Sequence, residues 1–167
     1  MKNLLKKNKS YKGFSIIEVM VAVGIIGVGM LGVVSLMIQN IQVQVVNKNN
    51  LTASMLAQEG IELVRFFRDS NWLDPAKPGF SGGIPATSTI DIFGFQSSGL
   101  DFSNTATDLK LNADGFYEHN GTIDTAFKRL ITVSSNVDYM TVKSTVRWVR
   151  NGKNYDYIVE TLLYDWR

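Results

Sequence analysis

The residues that could do chemistry are few in this chain, and their spacing argues against an enzyme. His119 is the only histidine among the 167 residues, and it lies in the turn-like stretch Glu118-His119-Asn120-Gly121. We expect a solvent-exposed side chain there rather than a general base. Serines are plentiful, but a hydrolase serine needs a histidine partner and only this one could serve. The sequence therefore predicts no catalytic residue and no enzymatic activity.

Metal and cofactor binding have no better support in the sequence. The chain has no cysteine, which excludes thiolate metal sites, disulfides and cysteine nucleophiles. Asp114-Gly115 could belong to a calcium loop, but the alternating acidic ligands of such a loop are missing and a turn explains the pair. We therefore expect no metal, no cofactor and no small-molecule substrate.

One carboxylate, that of Glu18, has an unusual position. Residues 14–38 read FSIIEVMVAVGIIGVGMLGVVSLMI, and Glu18 is their only charged residue. The 20 residues after it would span about 30 Å as a helix, which is the thickness of the hydrocarbon core of a bilayer. A carboxylate in such a segment costs on the order of 2.5–3.5 kcal/mol. It normally stays because it pairs with another group, although an ordinary single-pass anchor with Glu18 facing the headgroups is an alternative.

The charge distribution gives this segment an orientation. Five of the 17 basic residues lie in the first 12 positions, and without them 12 basic residues face 15 acidic ones, a net charge of −3. Lysines precede the apolar run, and no lysine follows it until Lys48. By the positive-inside rule, this places the N-terminus in the cytoplasm and the rest of the chain outside. The run is too long for a secretory signal peptide, and no small-x-small cleavage site follows it. No Lys/Arg cluster follows residue 13, which argues against a nucleic-acid partner.

The stretch Gly13-Phe14-Ser15-Ile16-Ile17-Glu18, after a basic leader and before a long apolar helix, closely resembles the type IV prepilin processing site. The resemblance implies that a membrane-embedded prepilin peptidase cuts between Gly13 and Phe14 and then N-methylates the Phe14 amine. It also implies assembly with other pilin or pseudopilin subunits, in which Glu18 neutralises the Phe14 amine of a neighbour. Many major pilins carry a helix-kinking proline in this segment, and its absence here favours a minor subunit.

Within this family the chain is most similar to minor pilins of the pilus-modification kind and to type II secretion pseudopilins. The expected function is that of a structural subunit, held first in the cytoplasmic (inner) membrane and then in a filament on the cell surface or in the periplasm. A competence-type subunit for DNA uptake is the alternative within the family. A single-pass anchored enzyme or binding protein is the alternative outside it.

The sequence patterns around this motif predict an α+β fold. In this fold one long N-terminal helix carries the motif and packs on a small antiparallel β head. The predicted divisions are a leader (1–13), a membrane-spanning half-helix (14–38), an amphipathic half-helix (39–68), an irregular connection (69–87) and the β head (88–167). The amphipathic half has one apolar stripe at three- and four-residue steps: Ala53, Leu56, Ala57, Gly60, Val64 and Phe67. Arg68-Asp69-Ser70-Asn71 is expected to end the helix, and the connection holds all three prolines.

Alternating patterns predict the strands of the β head. We expect a short strand at Thr89–Phe93, a hairpin over 109–117, a strand at Phe127–Val133, and a hairpin that pairs 139–150 with 153–164. Asn151-Gly152 joins the arms of this last hairpin and is a strong signal for a two-residue turn.

That turn fixes the register of the C-terminal hairpin. It sets the apolar pairs Trp148 with Tyr155, Val146 with Tyr157 and Met140 with Leu163 on one face. It sets Arg147 opposite Asp156 and Lys143 opposite Glu160 on the other face, so that opposite charges meet.

Overall fold

A computed structural model describes residues 13–76 and 79–165. Helix α1 is followed by seven strands that form one antiparallel sheet, which confirms the predicted α+β class. The bounds are α1 Ile16–Leu73, β1 Thr87–Asp91, β2 Gly94–Ser98, β3 Asp108–Leu111, β4 Tyr117–Glu118, β5 Ile123–Ser135, β6 Tyr139–Arg150 and β7 Lys153–Tyr164. Residues 1–12 of the predicted leader, positions 77 and 78 of the predicted connection and the last two residues lie outside the described part.

The chain divides into two compact units, Met1–Val46 and Asn47–Arg167. In the described part of the first unit every residue is exposed. In the second unit helix α1 continues without a break through the polar stretch 47–50 and packs against the sheet.

The apolar stripe predicted for the helix is the face that meets the sheet. Ala53, Ala57 and Val64 are fully buried, and Gly60 is buried with them. A Cβ atom at Gly60 would lie 2.6 Å from Ser144 Oγ and 2.9 Å from Ile131 Cδ1, so glycine allows the close approach of helix and sheet. The second unit therefore obtains its core from this one face of α1.

Helix α1 ends at Leu73, a few residues later than predicted. Arg68 and Asn71 belong to its buried face, and the Asn71 amide donates a hydrogen bond to the carbonyl oxygen of Gly82 at 2.7 Å. The helix stops just before Pro75, because a residue that precedes proline is disfavoured in helical conformation. The polar residues that were predicted to end the helix thus tie its last turn to the following loop.

Strand β5 is the centre of the sheet. Strand β6 pairs along one side of β5, and β7 pairs with β6. The other side of β5 is shared: β3 pairs over its first part and β1 over Ile131 and Thr132. Strand β2 pairs with β1, and β4 pairs with β3, so β4 and β7 lie at opposite edges of the sheet.

The predicted strands are found with altered bounds. Residues 109–117 form the hairpin of β3 and β4 as expected. The strand predicted at Thr89–Phe93 begins earlier, at Thr87, and ends at Asp91 because Ile92 and Phe93 form the turn into β2, which was not predicted. Strand β5 extends beyond Phe127–Val133 at both ends, since β3 supplies a partner for its first residues.

The C-terminal hairpin has the predicted register throughout. Asn151 and Gly152 have φ of 51° and 72°, the left-handed values that a two-residue hairpin turn requires. Trp148, Val146 and Met140 are buried on the side of the core. On the other face Arg147 donates two hydrogen bonds to Asp156, at 2.7 and 2.8 Å, which confirms the expected charge pair.

Candidate functional site

The predicted processing site lies at the start of α1. Gly13, Phe14 and Ser15 precede the helix, and Ile16 is its first residue. The carbonyl oxygen of Ser15 accepts hydrogen bonds from the N–H groups of Glu18, at 3.0 Å, and Val19, at 3.2 Å. The bond between Gly13 and Phe14 therefore lies outside the helix.

Nothing in the fold requires a glycine at position 13. A Cβ atom built on Gly13 would meet no heavy atom within 4 Å, and the residue does not have a positive φ. Phe14 beside it is 81% exposed. If glycine is needed here, the requirement comes from a molecule that acts on the chain rather than from the chain's own packing.

Glu18 occupies the first turn of α1, and its side chain is exposed. Within the described residues its carboxylate forms no ion pair with any basic side chain. Ser15 and Glu18 have the S-x-x-E spacing of a capping box, and a negative charge in the first turn is favoured by the helix dipole. This local role competes with the predicted role in subunit contact, and the two can be separated by substitution.

The helix around this motif has no apolar partner of its own. Glu18 is the only charged residue between Phe14 and Lys48. An 18-residue window of α1 has a mean hydropathy of 2.5 with none of it buried, so the helix is long and apolar enough to cross a membrane. Gly24, Gly27, Gly29 and Gly32 meet no atom within 4 Å in the chain itself. Continuous exposed apolar surface of this kind marks a membrane or protein contact.

The structure corrects the prediction for His119. Its side chain is buried, with Nδ1 3.1 Å from the carbonyl oxygen of Asp108, and Nε2 has no hydrogen-bond partner among the described residues. Burial, together with the charge of Arg129, lowers the pKa of His119 from 6.5 to about 4. The expectation of an exposed loop histidine was wrong because His119 lies against Asp108 and near Arg129, and the local sequence does not indicate that these segments meet.

Arg129 is a second buried ionisable residue, and the sequence reasoning missed it. Its guanidinium donates hydrogen bonds to the carbonyl oxygens of Leu56 (3.1 Å) and Ile90 (2.8 Å) and forms an ion pair with Glu59 at 3.1 Å. Burial lowers its pKa, and the negative charge of Glu59 opposes that shift. The side chain joins α1, β1 and β5 and has a structural role. Phe127, Arg129 and Ile131 are alternate residues of one strand, and alternate residues lie on the same face of a sheet. This alternation was the signal that Arg129 faces the core.

One serine pattern that the sequence reasoning overlooked has no catalytic setting in the fold. Gly79-Phe80-Ser81-Gly82-Gly83 matches G-x-S-x-G. A nucleophile elbow joins a strand to a following helix, whereas this segment follows helix α1 and precedes strand β1. Phe80 packs into the core against Trp72, which gives the segment a packing role.

The comparisons with known proteins bear on the N-terminal region. No curated protein and no solved structure matches the chain. Residues 8–34 match the family model described as the prokaryotic N-terminal methylation motif. This motif and the exposed apolar helix together indicate a membrane-anchored protein of the pilin or pseudopilin type. The chain thus carries, at residues 8–34, the N-terminal methylation motif of the type IV pilin-like family.

Proposed function

We propose that this chain is a minor pilin or pseudopilin, a structural subunit of a type IV pilus or type II secretion filament. One observation carries the proposal: a methylation motif at residues 8–34 coincides with the start of α1, and the apolar side chains of α1 up to Val46 are exposed among the described residues. The basic leader keeps the N-terminus in the cytoplasm, and the second unit lies outside the inner membrane.

In this proposal the prepilin peptidase cuts between Gly13 and Phe14 and methylates the new amine of Phe14. Cleavage removes five lysines and creates one α-ammonium group four residues before Glu18. Methylation keeps that positive charge. The helix then leaves the membrane as it packs among the helices of other subunits, and the leader no longer holds it at the cytoplasmic face.

Glu18 and the Phe14 amine of a neighbouring subunit form the pair that sets the register of assembly. A buried ion pair adds little net stability, but removal of one partner strands the other at a cost of about 3–5 kcal/mol. Such a penalty for misalignment suits a contact that selects one axial position over others.

Two measurements test the proposal. The mass and N-terminal sequence of the membrane-fraction protein should show methylated Phe14, whereas an intact Met1 would identify a plain anchor. Glu18→Ala should still be processed and should fail to enter filaments.

Glu18→Gln is the matched control for the capping role. Glutamine can take the place of glutamate in a capping box but carries no charge. Loss of filament entry in both variants supports the ion pair. Entry of Glu18→Gln at the wild-type level would show that the side chain acts on its own helix, and the register role would be wrong.

A further inference from the structure

A groove opens on the second unit between α1 and two turns of the sheet. Its cavity volume is about 790 Å³, and α1 forms its floor. The turn after β1 and the turn between β3 and β4 form its walls. Apolar side chains make up most of the lining: Met55, Leu56, Leu63, Ile92, Phe116 and Tyr117.

All side chains in the lining of this groove that carry a charge at pH 7 are acidic. They are Glu59, Asp91 and Glu118, and no lysine or arginine is among the described residues of the lining. Glu59 pairs with Arg129, and Asp91 accepts hydrogen bonds from the Phe93 N–H and the Gln96 amide. Glu118 forms no ion pair in the described part of the chain. Lys110 lies opposite Glu118 on β3 but forms its ion pair with Asp124. The groove therefore presents apolar surface and, in Glu118, a carboxylate that has no ion pair of its own among the described residues.

The tip of the hairpin β6–β7 has the complementary chemistry. Arg150 and Lys153 face each other across the turn, and neither forms an ion pair within the described residues. Like charges directly opposite each other on paired strands are destabilising. The flanking Val149 and Tyr155 are 56% and 41% exposed. The tip thus presents two cations and apolar surface, and a carboxylate from outside would relieve their repulsion.

The groove and the tip lie toward opposite edges of the sheet. The groove is built on β4 and β3, which pair on one side of β5, whereas β6 and β7 lie on its other side. A contact between two different surfaces of identical chains is heterologous, and it generates open helical filaments when the rotation does not close. Tip-to-groove contact is therefore compatible with helical assembly.

We propose that the groove between α1 and the β3–β4 turn receives the β6–β7 hairpin tip of a second copy of this chain, with Glu118 facing Arg150 and Lys153. The inference rests on the proposed function, in which the helices of the subunits lie side by side. Stable interfaces bury at least about 1,000 Å² in total. Helices already held in one membrane or filament supply the effective concentration that a small contact needs.

Cysteine cross-linking tests the contact directly, since the chain has no native cysteine. Two differently tagged full-length copies are expressed together, one with Ala113→Cys in the β3–β4 turn and one with Asn154→Cys beside the tip. A short bis-maleimide is added to the membranes. We expect a cross-linked species that carries both tags. Asn136→Cys, in the exposed turn between β5 and β6, replaces Asn154→Cys in the control and should give none.

Exchange of the charges in the same cross-linking experiment is the second test. Glu118→Lys should lower the cross-linked fraction about tenfold, and Lys153→Glu in the other copy should restore it. Asp138→Lys makes the same charge change in the turn before β6 and should have no effect. A yield that is unchanged by Glu118→Lys would overturn the inference.

The remaining outcomes separate this inference from the proposed function. No species with both tags, or a cross-link from Ala113→Cys only to a different protein, overturns the tip-to-groove contact. If methylated Phe14 is found in that same preparation, the proposed function stands without it. An unprocessed Met1 start would instead defeat the proposed function.

Discussion

Replacing His119 with glutamine should remove a large part of the pH dependence of the stability of the second unit. The imidazole is 9% exposed, and its Nδ1–H donates to the carbonyl oxygen of Asp108 at 3.1 Å. Because its pKa in the folded chain is about 4, it is neutral at pH 7. In the unfolded chain the same group has a pKa of about 6.5.

The size and sign of the effect follow from these two values. A gap of about 2.5 pKa units corresponds to about 3.5 kcal/mol, at about 1.4 kcal/mol per unit. Between pH 6.5 and pH 4 the unfolded chain binds a proton that the folded chain does not, so the free energy of unfolding rises with pH in this window. The contribution of His119 is complete above pH 6.5 and is lost as the pH falls to about 4.

The assay is denaturant unfolding of the full chain in detergent, followed by tryptophan fluorescence at pH 7.5, 6.0, 5.0 and 4.5. Carboxylates titrate in both proteins, so the difference between wild type and His119→Gln isolates the imidazole. Between pH 7.5 and pH 4.5 the wild type should lose about 2–3 kcal/mol more than the variant. That is a large share of the 5–15 kcal/mol typical of a folded domain.

Parallel curves for the two proteins would refute the reasoning. They would mean that the imidazole of His119 is solvated in the folded chain. An imidazole pKa near 6.5, measured by NMR on the folded protein, would refute it equally. The absolute stability of His119→Gln at pH 7.5 does not enter the test, because only the change with pH is compared.

Three further substitutions test other parts of the structure. Gly13→Leu should block processing, seen by mass spectrometry as a retained leader, and should leave the denaturation midpoint unchanged because no atom lies within 4 Å of that Cβ position. Gly60→Val should lower the free energy of unfolding by about 1–3 kcal/mol through overpacking, whereas Gln58→Val on the exposed face should change it by less than about 0.5 kcal/mol. Arg129→Ala should cost about 1–3 kcal/mol in the same assay, since two carbonyl oxygens lose a donor, whereas Glu59 is partly exposed and can be solvated. A loss below about 1 kcal/mol would show that water replaces the guanidinium.

Much of the fold could be predicted because its signals are local or nearly so. Asn151-Gly152 fixes a two-residue turn, and the turn fixes every pair along twelve-residue arms. The stripe from Ala53 to Val64 follows the helical period and therefore identifies the face that meets the sheet. The motif from Gly13 to Glu18 is likewise contiguous, so a candidate processing site can be predicted from it without any tertiary information.

The features that escaped prediction depend on contacts between distant segments. His119 lies against the carbonyl oxygen of Asp108 and near the charge of Arg129, and Arg129 donates hydrogen bonds to carbonyl oxygens 73 and 39 residues away in the chain. Strand β2 has few β-branched residues, and its place is set by pairing with β1 rather than by its own sequence. The carboxylates of the groove come from α1, β1 and β4, so their common location appears only in the fold.

The two parts of α1 differ in a way that itself argues for a partner. From Ala53 onward the helix buries one stripe, which the sheet of its own chain covers. Between Phe14 and Ile38 apolar side chains point in all directions, and a helix that is apolar all round needs cover on every side. A single sheet could cover only one face, so lipid or a ring of other helices must surround this segment. The hydrocarbon chains of lipid offer Glu18 no counter-charge, whereas neighbouring subunits with a free Phe14 amine would offer one and cover the apolar surface as well.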